Sequence, residues 1–152
     1  MKILDPCCGG KMFWFDKENP DVIFGDIRSE KHTLCDGRKF NIEPEVILDY
    51  MFLPFEDGYF DMVVYDPPHL IQGGKGGWQI IKYGKLNDWE KEISGGFSEC
   101  FRVLKHDGVL IFKWNETQLT VSKLLKLTTH KPLFGHKSGK LNKTHWITFC
   151  KF

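Results

Sequence analysis

The sequence lacks several features that mark specialised classes of protein. No apolar run approaches the roughly 18 residues of a transmembrane helix, and the start of the chain has no apolar segment typical of a secretory signal. Its five cysteines form no C-x-x-C pair, which argues against a zinc site and a disulfide framework. We therefore expect a cytoplasmic protein with no metal site and no membrane association.

Acidic residues are missing from the C-terminal part of the chain. The last is Glu116, and the seven lysines after it give residues 117–152 a net charge of +7, whereas residues 1–116 carry −6. This asymmetry indicates an anionic partner such as nucleic acid, although a solvated lysine-rich surface produces the same pattern. Only three of the 21 basic residues are arginine, the residue that contacts guanine in a bidentate manner, so we expect weak base reading by this chain alone.

The 152 residues suit one domain spanning residues 1–152. Continuous apolar runs, typical of parallel strands buried on both faces, predict six strands. The turn dipeptide Asp36-Gly37 predicts a hairpin within residues 27–45. Helices are predicted from Asn87 or Asp88 to Leu104, with an interruption at Gly95-Gly96, and over residues 117–129. The predicted strands cover residues 3–4, 22–24, 46–48, 62–65, 109–112 and 145–150, and residues 132–135 are a candidate partner of the last one.

An acidic residue follows four of these strands: Asp5, Asp26, Asp49 and Asp66. In an open parallel sheet, ligands bind beyond the carboxyl ends of the strands, so the four side chains would line one crevice. A carboxylate there can accept two hydroxyls or bind a cationic amine. The alternative is that aspartate merely ends strands because it favours turns.

Two loops at these strand ends hold the most specific residues. Residues 5–10 read Asp-Pro-Cys-Cys-Gly-Gly, which matches neither G-x-G-x-x-G nor G-K-[ST], so Gly9 and Gly10 indicate either a close backbone approach to a ligand or a plain turn. In residues 66–69, Asp-Pro-Pro-His, the prolines make the backbone rigid. A carboxylate and a carbonyl then provide two acceptors for an amino group, and His69 adds a flat ring.

Together these motifs resemble class I S-adenosylmethionine-dependent methyltransferases, most closely the DPPY-type amino-methyltransferases of nucleic acids and their small phage and prophage forms. Residues 66–69 and 5–10 are similar to the family motifs [DNS]-P-P-[YFW] and D-P-F-C-G-S-G. Residues 49–61 are similar to its acid-then-"LPF-x-D-x-x-F-D" run, and residues 101–110 to its "RVLKPGG" turn. His69 departs from the pattern, because the family has tyrosine, phenylalanine or tryptophan at this position.

The resemblance implies a Rossmann-like, doubly wound α/β fold whose mostly parallel sheet has seven strands, the last antiparallel. It also implies S-adenosylmethionine as cofactor: Asp5, Gly9 and Gly10 would hold the methionine part, Asp26 the ribose and Asp49 the adenine. Cys7 and Tyr50 would line the same pocket. The catalytic residues would be Asp66, Pro67, Pro68 and His69.

The implied reaction is methyl transfer to an exocyclic amino nitrogen of a nucleic-acid base, adenine N6 in DNA before other acceptors. Alternatives are methylation of RNA, protein or a small molecule, and a binding module that keeps the cofactor fold without catalysis. With no separate target-recognition domain, duplex specificity would come from a partner subunit or an unusual loop. Residues 70–86 carry five glycines with Trp78, Tyr83 and three lysines, Lys75, Lys82 and Lys85, and form either a lid or a plain surface loop. Residues 113–115 are considered as a border of the acceptor pocket.

Overall fold

The computed structural model describes residues 1–74 and 77–152. One sheet of seven strands forms the centre of the described chain, and a two-stranded hairpin stands apart from it. The strands are β1 (Ile3–Asp5), β2 (Val22–Asp26), β3 (Glu30–Thr33), β4 (Lys39–Ile42), β5 (Val46–Ile47), β6 (Phe60–Tyr65), β7 (Leu104–Asn115), β8 (Phe134–Ser138) and β9 (Thr144–Cys150), and the helices are α1 (Trp78–Tyr83), α2 (Trp89–Val103) and α3 (Val121–Leu124).

The order in the large sheet is β5-β2-β1-β6-β7-β9-β8. The strands from β5 to β7 are parallel, and β9 pairs antiparallel with both of its neighbours. The predicted seven-stranded, mostly parallel α/β sheet with its last strand antiparallel is confirmed. The strand order reverses beside β1, which has β2 on one side and β6 on the other, and such a switch point is where open sheets bind ligands.

Helix α2 packs an apolar face on the sheet. Ile93, Phe97 and Cys100 recur at helical spacing and are buried. Asp88 caps the helix by accepting a hydrogen bond from the amide of Lys91. None of the described helices is long and apolar enough to cross a bilayer.

The predicted interruption of this helix at Gly95-Gly96 is wrong. Helix α2 runs without a break through both glycines. A Cβ atom at Gly96 would collide with the hydroxyl of Tyr65 on β6, so the glycine allows helix and sheet to approach closely.

The predicted helix over residues 117–129 is also wrong in extent. Only α3 and one 3-10 turn, Leu125–Leu127, are helical. The indole nitrogen of the fully buried Trp114 donates to the carbonyl of Leu119 at 2.9 Å. This contact holds the chain after β7 in a turn and delays the start of the helix.

The hairpin was predicted correctly, whereas the extent of β7 was not. Strands β3 and β4 pair antiparallel around Asp36-Gly37, where Gly37 has a φ of +82°, so the predicted hairpin is confirmed. Strand β7 is longer than predicted because it begins at Leu104, before the expected turn at residues 106–108. That turn is an irregularity inside the strand, with a positive φ at Asp107.

Candidate cofactor and acceptor site

The four predicted aspartates lie along the carboxyl edge of the parallel strands. Asp26 and Asp5 end the neighbouring strands β2 and β1, and Asp66 directly follows β6. Asp49 lies two residues beyond the short edge strand β5. The fold therefore brings three of the carboxylates together at the switch point and places the fourth at the edge of the group.

Asp5 holds the first loop in place. Its side chain is fully buried, its Oδ2 accepts a hydrogen bond from the indole nitrogen of Trp14 at 2.7 Å, and its Oδ1 accepts one from the amide of Cys7 at 3.2 Å. Burial raises the pKa of Asp5 to about 7, and the nearby carboxylates of Asp66 and Asp26 contribute to the rise. Asp5 thus sits beneath the loop that it organises.

The raised pKa predicts that Asp5 makes stability depend on pH. The folded protein holds the Asp5 proton more tightly than the unfolded chain, whose ordinary value is 3.8, so this contribution is complete below about pH 4 and is lost as pH rises towards 7. Replacing Asp5 with asparagine keeps an acceptor for Trp14 and removes the titration. Denaturant unfolding of Asp5→Asn should therefore show a smaller loss of stability than the parent between about pH 4 and pH 7, by a few kcal/mol.

The exposed Asp16, in the same loop, provides the matched control. Asp16→Asn should follow the parent at every pH. Parallel pH curves for Asp5→Asn and the parent would show that Asp5 does not titrate in this window.

Asp26 joins the first loop to the end of β2. Its Oδ2 accepts a hydrogen bond from the amide of Gly9 at 2.9 Å, and its Oδ1 accepts one from the amide of Arg28 at 2.9 Å. Gly9 has a φ of +49°, and a Cβ atom there would have no neighbour within 4 Å, so open space adjoins its backbone. Gly10 instead packs against Phe40 of the hairpin, where a Cβ atom would lie 2.6 Å from the ring.

Asp49 and Tyr50 stand at the β5 side of the site. The Oδ1 atom of Asp49 accepts a hydrogen bond from the amide of Met51 at 2.8 Å. Tyr50 packs edge-on against Tyr65, with ring centroids 5.6 Å apart, and its hydroxyl lies 3.4 Å from Glu92. Burial raises the pKa of Tyr50, so the phenol remains a neutral hydrogen-bonding group.

The Asp-Pro-Pro-His segment forms the other side of the site, and Asp66 is its centre. Nζ of Lys113 donates to Asp66 Oδ2 at 2.7 Å, and Nε2 of His69 lies 3.0 Å from Asp66 Oδ1. Burial alone would raise the pKa of Asp66, but His69 and Lys113 together outweigh it and hold the pKa below its ordinary value. Asp66 is therefore an anionic acceptor.

One oxygen of Asp66 is buried and has no hydrogen-bond partner among the described residues. The Nε2 atom of His69 is near Oδ1 but poorly aligned with it, and within the described residues neither Asp66 Oδ1 nor His69 Nδ1 has a hydrogen-bond partner. Buried polar atoms are rarely unpaired, so both atoms are candidates for contacts with a bound molecule. The His69 ring is fixed edge-on against Trp114, with centroids 4.9 Å apart.

Lys113 lies between two aromatic side chains that the sequence does not connect with it. Its ammonium is 5.3 Å from the ring centroid of Phe13 and 5.6 Å from that of Trp146, and these two rings meet edge-on. The signal for Lys113 is its position as the charge that directly follows the apolar run of residues 109–112 in β7. Nothing in the sequence pairs Phe13 with Trp146, because they belong to an irregular loop and to β9.

Two cavities run along these strand ends. A cavity of about 270 Å³, called here the acceptor cavity, is lined by Cys7, Phe13, Asp66, Pro67, His69 and Lys113 among others. A smaller one of about 50 Å³ is lined by Asp26, Arg28, Tyr50, Asp66 and Pro68 among others. Cys7, Arg28, Asp66 and Tyr83 border both, so the two cavities are adjacent. Asp5 and Asp49 do not line either cavity.

Helix α1 covers part of this edge. Tyr83 lines both cavities, and the Arg28 guanidinium donates to the carbonyl of Ile81 at 2.9 Å, which ties the helix to the loop after β2. The location of α1 is compatible with a lid, and that role stays a prediction. Lys75 and Gly76, which belong to the predicted lid, lie outside the described residues.

Comparisons with known proteins are consistent with this arrangement. PH0226 protein from Pyrococcus horikoshii OT3 is 18% identical, with a TM-score of 0.67 over 99% of this chain and 82% of that chain. A TehB-like SAM-dependent methyltransferase from Corynebacterium glutamicum is 15% identical, with a TM-score of 0.59 over 99% and 80% of the two chains. A SAM-dependent methyltransferase from Methanosarcina mazei is 13% identical, with a TM-score of 0.60 over 99% and 92%.

Comparisons of sequence alone give no relative. No protein-family model matches the chain, and a search of curated proteins found no match. The sheet order, the antiparallel β9 and the structural neighbours agree with one another. The chain therefore has the fold of the class I S-adenosylmethionine-dependent methyltransferases.

Proposed function

We propose that this chain transfers a methyl group from S-adenosylmethionine to an exocyclic amino nitrogen of a nucleic-acid base, with adenine N6 in DNA as the first acceptor to test. The observation that carries the proposal is Asp66, a carboxylate that lines the acceptor cavity beside Pro67 and that His69 and Lys113 hold as an anion. An amino group has two N–H donors, and a carboxylate with a neighbouring backbone carbonyl can accept both.

The residues beside the acceptor cavity suit the cofactor. Asp26 and Tyr50 line the smaller cavity and offer a carboxylate and a phenol to the hydroxyl and amino groups of an adenosine. The space beside the backbone of Gly9 leaves room for the methionine portion. S-Adenosylmethionine, when bound, supplies an electrophilic methyl group attached to a sulfonium. The anionic Asp26 and Asp66 favour a cation between them.

Asp66 would act on the acceptor in two ways. An exocyclic amino group is a poor nucleophile because its lone pair is delocalised into the ring. By accepting an N–H bond, Asp66 Oδ1 localises that lone pair and stabilises the positive charge that develops on nitrogen. As the new N–C bond forms and the S–C bond breaks, the surplus proton on nitrogen passes to Asp66. Orientation within the cavity supplies much of the remaining rate.

A base is the acceptor that the surrounding side chains favour. The rings of Phe13 and His69 line the acceptor cavity, and the ring of Trp146 lies near Lys113, which lines the cavity as well. Aromatic side chains of this kind stack on bases, each stack contributing about 1–3 kcal/mol. A target base within a duplex would have to leave the helix to reach Asp66.

Cofactor binding gives the first test of this proposal. Calorimetry should detect S-adenosylmethionine or its demethylated product, and Asp26→Ala should weaken binding about tenfold or more, the effect of losing roughly 1.4 kcal/mol of contacts. Asp49→Ala should weaken it by a similar factor if Asp49 holds the adenine. Glu56→Ala, which changes an exposed acid outside both cavities, should bind like the parent. No binding at millimolar ligand by folded protein would exclude the methyltransferase function.

The acceptor class is tested with radiolabelled S-adenosylmethionine and separate pools of DNA, RNA, protein and small amines. We expect label in DNA, recovered after digestion as N6-methyladenine. Label in RNA, protein or small molecules would keep the enzyme class and replace the acceptor. Cofactor binding without label in any pool would favour a non-catalytic binding module.

A further inference from the structure

A second, larger groove lies beside the acceptor cavity. It has a volume of about 460 Å³ and runs between the loop after β1 and the β3–β4 hairpin. We call it the hairpin groove. Its lining includes five cationic side chains and only two acidic ones; the cations are Lys11, Lys17, Arg38, Lys39 and Lys82, and the acids are Glu18 and Glu43.

The net charge of this lining is positive, whereas the net charge of the part of the chain that forms it is negative. Residues 1–116 carry a net charge of −6, yet five of their 14 basic residues line this one groove. A concave surface lined by one sign of charge concentrates counter-ions of the other sign. The hairpin groove is therefore suited to an anion.

Packing between the hairpin and the first loop builds the groove. Phe40 of β4 is buried against Gly10, and the contact is so close that a Cβ atom at Gly10 would lie 2.6 Å from the ring. Strand β4 alternates, so Phe40 and Ile42 are buried while Lys39 and Asn41 are exposed. Because the buried residues fix the hairpin, Lys39 is held at the groove, where its ammonium donates to the neutral hydroxyl of Thr33 at 2.8 Å.

The hairpin groove continues into the acceptor cavity. Gly9, Gly10, Met12 and Lys82 line both. A molecule that places one group beside Asp66 and extends past Gly10 would enter the hairpin groove directly. The part of the substrate that is attached to the acceptor group would therefore lie in the hairpin groove.

An exposed aromatic ring stands at the junction. The Lys82 ammonium lies 5.7 Å from the ring centroid of Trp78, whose side chain is 55% exposed, and 5.5 Å from that of Tyr83. Proteins that bind single nucleic-acid strands combine a basic groove for the backbone with aromatic side chains on which bases stack. Both elements are present here, next to the site of the proposed chemistry.

We propose that the hairpin groove binds the phosphodiester backbone of the nucleic-acid strand whose base enters the acceptor cavity. The proposal rests on the function proposed above and identifies where the phosphates of that substrate bind. Lys17 and Lys39 contact phosphates, and Lys82 lies between the groove and the flipped base. The contacts carry no sequence information, so this groove supplies affinity and register alone.

The test compares two pairs of exposed lysines. Lys17 and Lys39 line the hairpin groove but not the acceptor cavity, so the variant K17Q/K39Q removes two phosphate contacts and leaves the reacting groups in place. Lys91 on α2 and Lys123 on α3 are exposed and line neither, so K91Q/K123Q is the matched control. The charge-preserving K17R/K39R should behave like the parent.

Binding of a fluorescent single strand of about 12 nucleotides is measured across a salt series without cofactor. Each phosphate contact on a single strand contributes about 0.7 to the slope of log K against log salt, so K17Q/K39Q should reduce the slope by about 1.4. Its affinity at low salt should fall about tenfold or more, whereas the control keeps the parent slope. The deoxynucleoside monophosphate should bind far more weakly than the strand, which separates a backbone site from a site for one phosphate.

Turnover distinguishes failure of this proposal from failure of the proposed function. With the strand as acceptor, K17Q/K39Q should raise KM and keep kcat; with deoxyadenosine as acceptor, it should match the parent. If the parent methylates the strand but K17Q/K39Q has the same salt slope and KM as the parent, the proposed role of the hairpin groove is wrong and the proposed function stands. A parent protein that binds no strand would overturn the groove, and one that binds it without methyl transfer would overturn the function alone.

Discussion

Replacing Asp66 with alanine should abolish methyl transfer while leaving the affinity for S-adenosylmethionine nearly unchanged. The carboxylate of Asp66 accepts a hydrogen bond from Lys113 and lies beside His69, on the β7 side of the site, whereas the adenosine part of the cofactor would be held from the β2 and β5 side. Removing one group that stabilises developing charge costs about 10²–10³-fold in kcat, and Asp66 also takes the proton, so the loss should be at least that large.

Two controls make this prediction specific. Asp66→Asn keeps one acceptor oxygen and should retain more activity than Asp66→Ala. Thermal unfolding of both variants checks that the fold survives, because each leaves Lys113 without its carboxylate partner. Calorimetry with the cofactor provides the decisive comparison: if turnover and cofactor affinity fell by the same factor, Asp66 would be a cofactor ligand and not the acceptor-side group.

The central sheet was predictable because each strand is specified by residues that are adjacent in the sequence. Buried parallel strands are written as continuous apolar runs, and the runs at β1, β2, β6 and β7 coincide with strands in the structure. The aspartates after these runs lie on one edge because parallel strands share a direction. The shared edge of these aspartates, where the candidate site lies, therefore followed from strand pattern and chain direction.

The extent of the helices was not predictable, because it depends on side-chain packing outside the helical pattern. The turn after β7 is held by the indole of Trp114, and the unbroken α2 depends on the hydroxyl of Tyr65 fitting against Gly96. Helical periodicity describes one segment at a time, whereas the first contact depends on the burial of Trp114 and the second joins α2 to β6. In both cases, tertiary packing overrides the intrinsic helix propensity of the residues.

Within the site, the sequence predicted which residues are present but not their protonation. Asp5 and Asp66 were both recognised as strand-end acids, yet the structure gives them different surroundings. Asp5 is fully buried under the first loop with Trp14 and has a raised pKa, whereas Asp66 is paired with a lysine 47 residues away and has a lowered one. Composition and spacing place a carboxylate, but its proton affinity depends on neighbours from other elements.

Lys113→Met should lower kcat strongly, by about 10²-fold, and move the acidic limb of the pH profile to higher pH. Nζ of Lys113 lies 2.7 Å from Asp66, and the two side chains are only 19% and 14% exposed. Without the ammonium, His69 alone opposes the effect of burial, so the pKa of Asp66 rises and the carboxylate is protonated over more of the acidic range and accepts less well. Methionine fills similar space between Phe13 and Trp146, and Lys113→Arg should restore the profile because it restores the charge.

A double-mutant cycle tests whether Lys113 acts through Asp66. Asparagine at position 66 is neutral and needs no cation, and it is also a residue that the resembling family uses in this motif. Adding Lys113→Met to Asp66→Asn should therefore cost much less than adding it to the parent, which is a coupling between groups in direct contact. Cofactor affinity and the midpoint of thermal unfolding are measured on all four proteins. Equal costs of Lys113→Met in the two backgrounds, with no displacement of the pH profile, would mean that the lysine serves the acceptor cavity by packing and not by holding Asp66 as an anion.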